Sequence, residues 1–179
     1  MYVTCSSSCS SSTSSSYHPS WSIETIDAGD SFAPSIVLDS NDRLHISYQG
    51  DSTKNLKYAT CSSSCSTSSS WTKITVDAGN YSYGSSNYIE IKAPSIGIDS
   101  NGVKHIAYHE YTRSTTTSSS SYTNSYAVKY AKCSSSCTSA SSWTNATIDD
   151  TAYNVDLEID FNDNIHIFYR DVGNKWNHS

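Results

Sequence analysis

The sequence predicts an all-β protein assembled from four-stranded antiparallel units, and three observations carry that prediction. First, one cassette occurs three times. Tyr2-Val3-Thr4-Cys5-Ser6-Ser7-Ser8-Cys9 returns as Tyr58-Ala59-Thr60-Cys61-Ser62-Ser63-Ser64-Cys65, and again as Tyr130-Ala131-Lys132-Cys133-Ser134-Ser135-Ser136-Cys137. Each copy runs on to a tryptophan (Trp21, Trp71, Trp143) and then to an aliphatic-Asp pair (Ile26-Asp27, Val76-Asp77, Ile148-Asp149). Such self-similarity marks a repeat architecture. Second, helix formers are scarce while tyrosine, threonine and aliphatic β-branched residues are plentiful, which favours strands. Third, apolar and polar residues alternate with a period of two between the cassettes.

The elements follow in order. Residues 1–32 read as the last two strands, C and D, of a first unit. Residues 33–77 form a complete unit. Strand A is 33–39, with Ile36 and Leu38 on one face. A turn at Ser40-Asn41-Asp42 leads to strand B, 44–48, where Leu44, Ile46 and Tyr48 alternate with His45 and Ser47. Strand C is 55–60, the Cys-Ser loop follows, and strand D is 71–77. Residues 78–149 repeat the pattern with strands at 93–99, 103–108, 126–131 and 143–149, and with two long loops at 78–92 and 109–125. Residues 150–179 supply strands A and B, at 154–160 and 164–169, and end near Lys175-Trp176. Four short strands recurring at about 50 residues indicate β-propeller blades. The chain therefore reads as two full blades plus two complementary half-blades, and its raw sheet edges predict self-association through those half-blades.

These residues also carry a resemblance. Leu56-Lys57-Tyr58-Ala59, joined across a hairpin loop to Trp71, resembles the third-strand, loop and fourth-strand portion of sialidase-like, Asp-box propellers. Pro94-Ser95-Ile96, Ile98-Asp99-Ser100-Asn101-Gly102 and His105-Ile106-Ala107-Tyr108 are similar to repeats of secreted bacterial and archaeal propeller proteins. The resemblance covers nearly the whole chain and implies the architecture. The Asp-box itself, Ser-x-Asp-x-Gly-x-x-Trp, has lost its Asp and Gly before all three tryptophans, and a cystine would staple the loop instead. Sialidase chemistry calls for an arginine cluster, a Tyr/Glu pair and an acid. Here Arg43, Arg113 and Arg170 fall at different places along the unit, and Glu90, Glu110 and Glu158 form no marked pair.

Composition excludes several functions. The net charge is −6 and no basic run occurs, so nucleic acid is not an expected partner. No apolar stretch approaches the ~20 residues of a membrane span. The cysteines pair locally as Cys5 with Cys9, Cys61 with Cys65 and Cys133 with Cys137, which places the protein in an oxidising, extracellular or cell-surface setting. Free thiols and a metal are the alternatives. A metal needs about four ligands, and each copy offers two thiols with no histidine beside them, so neither metal nor cofactor is expected. The chain opens without a basic start and apolar run, and Met1 falls where Lys57 and Lys129 stand in the other copies. It reads as an excised piece or a fragment that starts within a repeat.

Antiparallel order places the A–B turns and the Cys-Ser loops on one rim and both long loops on the other. Those loops hold Tyr81, Tyr83, Tyr88, Tyr111 and Tyr122 among Ser, Asn and Gly, a mixture suited to recognition; the alternative is solvated loop. His45, His105 and His166 share one strand B position and read as structural. Asp39-Ser40-Asn41-Asp42, Asp99-Ser100-Asn101-Gly102 and Asp160-Phe161-Asn162-Asp163 read as hairpin turns rather than calcium loops, which need more ligands. Asn80, Asn145 and Asn177 head N-glycosylation sequons, and the Ser/Thr runs read as linkers or O-glycan carriers. No Ser-His-Asp spacing or phosphate loop occurs. The expected function is a non-catalytic interaction module for glycans or proteins. The alternative is a structural subunit of an extracellular, glycosylated filament, and a sialidase-like carbohydrate-active enzyme is the weaker alternative.

Overall fold

The computed structural model describes residues 2–5, 21–29, 31–50, 53–82, 85–115, 122–173 and 176–178. Among them are thirteen strands and no α-helix, arranged as antiparallel sheets. The first sheet pairs β1 (Tyr2–Cys5) with β2 (Trp21–Glu24). The second runs β3 (Phe32–Leu38), β4 (Leu44–Gln49), β5 (Leu56–Cys61), β6 (Thr72–Asp77). The third runs β7 (Tyr88–Ile98), β8 (Lys104–Thr115), β9 (Tyr122–Cys133), β10 (Thr144–Asp149). The fourth runs β11 (Ala152–Ile159), β12 (Ile165–Asp171), β13 (Trp176–His178). Every strand expected within residues 33–169 is present. The long loops are in large part not loops: β7, β8 and β9 begin or end well inside them, so the third sheet is lengthened at one end.

Three turn designs explain why these residues form these strands. Each A–B hairpin is held by one aspartate. Asp39 Oδ1 accepts the N–H groups of Asn41 (2.8 Å) and Arg43 (3.0 Å), Asp99 Oδ1 those of Asn101 and Val103, and Asp160 Oδ1 those of Asn162 and Asn164. The fourth turn residue is left-handed in each, Asp42 (φ 57°), Gly102 (φ 76°) and Asp163 (φ 64°), a conformation that Gly, Asn and Asp tolerate best. The Cys61–Cys65 and Cys133–Cys137 disulfides close their loops with Cα atoms 5.8 Å apart in both. Cys9 and the side chain of Cys5 lie outside the described residues. Beyond each cystine the Ser/Thr run is an ordered 3-10 turn, Ser68–Ser70 and Ala140–Ser142, rather than a linker. In the first of these, Ser68 Oγ donates to the Ile26 carbonyl of the preceding segment (3.2 Å). Finally, strand A carries a bulge in each copy at Ala33 (φ 48°), Ala93 (φ 44°) and Asn154 (φ 55°), which bends the strand and shifts its register.

Sheets pack face to face, with β3 beside β7 and β7 beside β11. One core lies between the second and third sheets around Leu56, Tyr58, Ile96, Ile106 and Trp143; another lies between the third and fourth around Ala107, Val128, Val155, Leu157 and Ile167. A Cβ on Gly97 would lie 2.8 Å from Leu157 Cδ2, so only glycine admits β11 at this distance. Strand B is therefore covered on both faces. Its polar residues His45, Ser47 and Gln49 are as buried as its apolar ones.

The aliphatic-Asp pair that closes each cassette links successive sheets. A bulge at Val76 and at Ile148 precedes the aspartate. Tyr108 of the third sheet then donates to Asp77 Oδ2 of the second (2.6 Å). Tyr48 of the second donates to Asp27 Oδ2 of the segment after β2 (3.0 Å), and Tyr169 of the fourth donates to Asp149 of the third. Burial and the adjoining carboxylate push the Tyr48 and Tyr108 hydroxyls well above their ordinary titration range.

Tyr108→Phe, which keeps the ring and removes this hydrogen bond, is expected to cost about 2 kcal/mol, the scale for a bond to a charged group. Equilibrium urea unfolding measures it, and an unchanged midpoint counts against the latch. Ala93→Asn relieves a left-handed alanine at the position that Asn154 holds in the next copy. It is expected to raise stability by about 0.5–1 kcal/mol in the same assay.

Candidate functional site

The lengthened end of the third sheet carries a tyrosine ridge. Past the β7 bulge, Tyr88 pairs with Arg113, Glu90 with Tyr111 and Lys92 with His109. On the other side of β8, His109 pairs with Val128, Tyr111 with Tyr126, Arg113 with Asn124 and Thr115 with Tyr122. Strand alternation places all of these on one face. Tyr81 joins from the preceding connection and Tyr153 from β11. Ring centroids then step 5.0 Å from Tyr81 to Tyr88, 5.8 Å to Tyr111, 5.3 Å to Tyr126 and 5.6 Å to Tyr153. The rings are tilted or edge-to-face, the arrangement their quadrupoles favour.

Four cations lie against these rings. Lys54 Nζ is 5.7 Å from the Tyr81 centroid, Lys92 Nζ 5.0 Å from Tyr111, Arg113 Cζ 3.6 Å from Tyr122 and Arg170 Cζ 5.5 Å from Tyr153. Glu90 pairs with Lys92 (3.0 Å) and accepts from Gln49 (3.3 Å), tying the ridge to the second sheet. At one end the ridge opens into a cleft of about 280 Å3 lined by Tyr81, Ser82, Ser85, Ser86, Tyr88, Arg113 and Tyr122. Tyr122 is 49% exposed there. The cleft thus offers ring faces, serine hydroxyls and a guanidinium, groups that bind hydroxylated or carboxylate-bearing ligands.

Of the residues predicted from sequence, Tyr81, Tyr88, Tyr111 and Tyr122 come together here. Tyr83 lies outside the described residues. Sequence reasoning missed Tyr126, Tyr153, His109, Lys92 and Arg170. Cross-strand register is the signal that would have found the first, since Tyr126 faces Tyr111 once β8 and β9 extend past the expected bounds. Arg113 and Arg170, which the sequence set apart, both stack on this ridge, whereas Arg43 lies elsewhere.

His109 sits beneath the ridge, between Tyr126 (5.8 Å) and Tyr153 (6.1 Å). It is 5% exposed, and its Nε2 is buried without a hydrogen-bond partner. Burial first, and Lys92 second, lower its pKa to about 4.

A second concavity of about 310 Å3 lies on the opposite rim, between the second sheet and the Cys133–Cys137 loop. Asp39, Arg43, His45, Tyr58 and Lys104 line it. His45 Nε2 faces Asp39 Oδ2 at 3.3 Å, and Nδ1 faces the Tyr58 hydroxyl at 2.5 Å. A neutral ring that donates from Nε2 and accepts at Nδ1 satisfies both. Burial lowers the His45 pKa against the opposing pull of Asp39, and burial pushes Tyr58 up to about 12. Both imidazole nitrogens and both Asp39 oxygens are engaged, which leaves neither a free general base nor a carboxylate edge for calcium. The arrangement recurs in the third sheet, where His105 meets Tyr130 and lies 3.4 Å from Asp99. In the fourth sheet His166 lies 3.4 Å from Asp160. The shared histidine position therefore serves the hairpin. Among the described residues no group of three His, Cys, Asp or Glu side chains is placed to hold a metal ion.

The sequon asparagines Asn80 and Asn145 are exposed; the side chain of Asn177 lies outside the described residues. Asn80 Oδ1 accepts the Ile89 N–H at the start of β7. No helix of the described residues is long and apolar enough to cross a membrane. No protein-family model matches the chain, and none of the curated proteins compared with it matches either.

Acid is expected to unfold the protein in two ranges. His45, His105 and His109 bind protons less readily folded than unfolded. Their contribution is complete above about pH 6.5 and declines as pH falls toward 4. Asp27, Asp39, Asp149 and Asp160 are held below the ordinary carboxylate range, with Asp160 at about 2. What they contribute is complete above about pH 4 and lost on approach to pH 2. His109→Phe is expected to remove roughly 3 kcal/mol of the loss between pH 7 and 4. Denaturant midpoints across that range measure it, and an unaltered pH profile contradicts the assignment.

Proposed function

We propose that this chain is a secreted or surface-exposed β-propeller segment that binds glycans or proteins without catalysing a reaction. The propeller reading is supported by successive sheets packing face to face with their A strands adjacent, and by one latch per sheet pair. An oxidising location is supported by the two cystines. The observation that carries the binding reading is the tyrosine ridge with a cation against each outer ring, opening into the serine-lined cleft beside Tyr122 and Arg113. Aromatic faces stack on sugar rings or peptide side chains, the serines exchange hydrogen bonds with hydroxyls, and the guanidinium selects acidic groups. This concentrates positive charge on one rim of a protein whose net charge is −6.

Glycan and peptide arrays probed with the full chain test the reading. A selective ligand set is expected, with acidic members preferred. Tyr122→Ala is expected to weaken binding about tenfold, the ~1.4 kcal/mol scale of one lost stacking contact. Leu38→Ser, on a different face, is expected to leave it unchanged. Absence of binding on both arrays, or equal loss in both variants, overturns the proposal.

A further inference from the structure

The internal repeat supplies its own control for what each sheet face is meant to touch. Ile36, Ile96 and Leu157 hold the same strand A position. Ile96 is 5% exposed and Leu157 3%, each buried against the preceding sheet, yet Ile36 is 54% exposed. Leu38, equivalent to Ile98 and Ile159, is also 54% exposed. The free face of the second sheet is thus an interface half whose counterpart can be read from the other two. In both, the counterpart is strand A of the preceding sheet: Val37 packs in the core that buries Ile96, and Gly97 meets Leu157 and Ile159. Backbone bonds repeat as well. Ser35 Oγ accepts the Ile96 N–H (3.2 Å), and Ser95 Oγ accepts the Leu157 N–H (3.1 Å).

The matching surface lies on the far side of the fourth sheet. There Asp156 stands where Ser35 and Ser95 stand, an acceptor in place of an acceptor. Glu158 stands where Val37 and Gly97 stand. Phe168 replaces Ser47 and Ala107, and Phe161 replaces Ser40 and Ser100. Phe161 is 94% exposed and Phe168 53%. Two small residues have become phenylalanines on the outward side of the fourth sheet, and two aliphatic side chains stand exposed on the outward side of the second. Large apolar groups exposed on opposite ends of one molecule suit mutual burial.

Strand edges agree in register. β13 covers β12 only at Phe168, Tyr169 and Arg170. Among the described residues no strand lies along the same edge at Ile165, His166 and Ile167, nor along the edge of β1 away from β2. In the second sheet, Leu44 pairs with Cys61, His45 with Thr60 and Ile46 with Ala59. Carried over, β1 would pair as Ile165 with Cys5, His166 with Thr4 and Ile167 with Val3. That stretch begins where β13 ends.

We infer that a second copy of this chain docks head to tail: its β11–β12 hairpin lies over Ile36 and Leu38 and adds β12 to the free edge of β1, completing a four-stranded sheet. The two surfaces differ, so the contact is heterologous and builds a closed ring or an open fibre according to the rotation per copy. The inference is independent of ligand binding at the tyrosine ridge.

Native size of the full chain across a concentration series, with site-directed cross-linking, tests it. Species of two or more chains are expected. Ile36→Asp, at a position exposed in one copy, is expected to raise the dissociation constant at least tenfold while leaving circular dichroism unchanged. By the Gly97–Leu157 contact, Ile36 of one copy faces Glu158 of the next. Mixing an Ile36→Cys protein with a Glu158→Cys protein is expected to give a linked pair of chains, and neither alone is expected to do so. Three results would each overturn the inference: one chain per particle at every concentration, association indifferent to Ile36→Asp, or linkage within the Ile36→Cys protein alone.

Discussion

The hydrogen bond from a strand B tyrosine to the aspartate that ends the preceding sheet sets how these sheets meet. A buried phenol and a half-buried carboxylate are costly to leave unpaired, so each pair fixes the offset between two sheets to within hydrogen-bond tolerance. The bulge before Asp77 and Asp149 aims the carboxylate across the gap rather than along its own sheet. Apolar packing then fills what this geometry leaves, with Ile96 against Val37 on one side of β7 and Gly97 against Leu157 on the other. Lys57, which also reaches Asp27 Oδ2 (2.6 Å), adds charge compensation to the first pair.

A second aspartate, at the end of strand A, works within a sheet. One of its oxygens closes the hairpin and the other faces the strand B histidine, which in turn meets a strand C tyrosine in the second and third sheets. The chain Asp–His–Tyr crosses three strands and keeps polar groups satisfied inside the stack. It has the residue types of a catalytic relay and none of the freedom, because every atom that could accept a proton from a substrate already has a protein partner.

The two rims have consequently diverged. On the Cys-loop rim, short cystines and 3-10 turns hold the connections close to the sheets. On the other, strand continuation lifts β7, β8 and β9 beyond their neighbours, and the tyrosines on one face pack into a ridge steadied by Lys92, Arg113 and Arg170. His109 beneath it fills space between Tyr126 and Tyr153 as a neutral ring.

Local chemistry was legible in the sequence. Period-two alternation located every strand between residues 33 and 169, the Asp-x-Asn turns announced their left-handed residue, and the Cys-Ser-Ser-Ser-Cys spacing announced loops that close on themselves. These depend on contacts a few residues apart, which the order of residues fixes directly. What the tertiary structure decided were matters of register and facing. Tyr126 and Tyr153 joined the ridge, and the polar side of strand B became buried, because neighbouring strands and sheets lie over them. Val76-Asp77 was visible as a repeat mark, but its meaning lay thirty residues on, at Tyr108. A period-two pattern states which side chains share a face and cannot state what that face will meet; that is settled only when sheets stack.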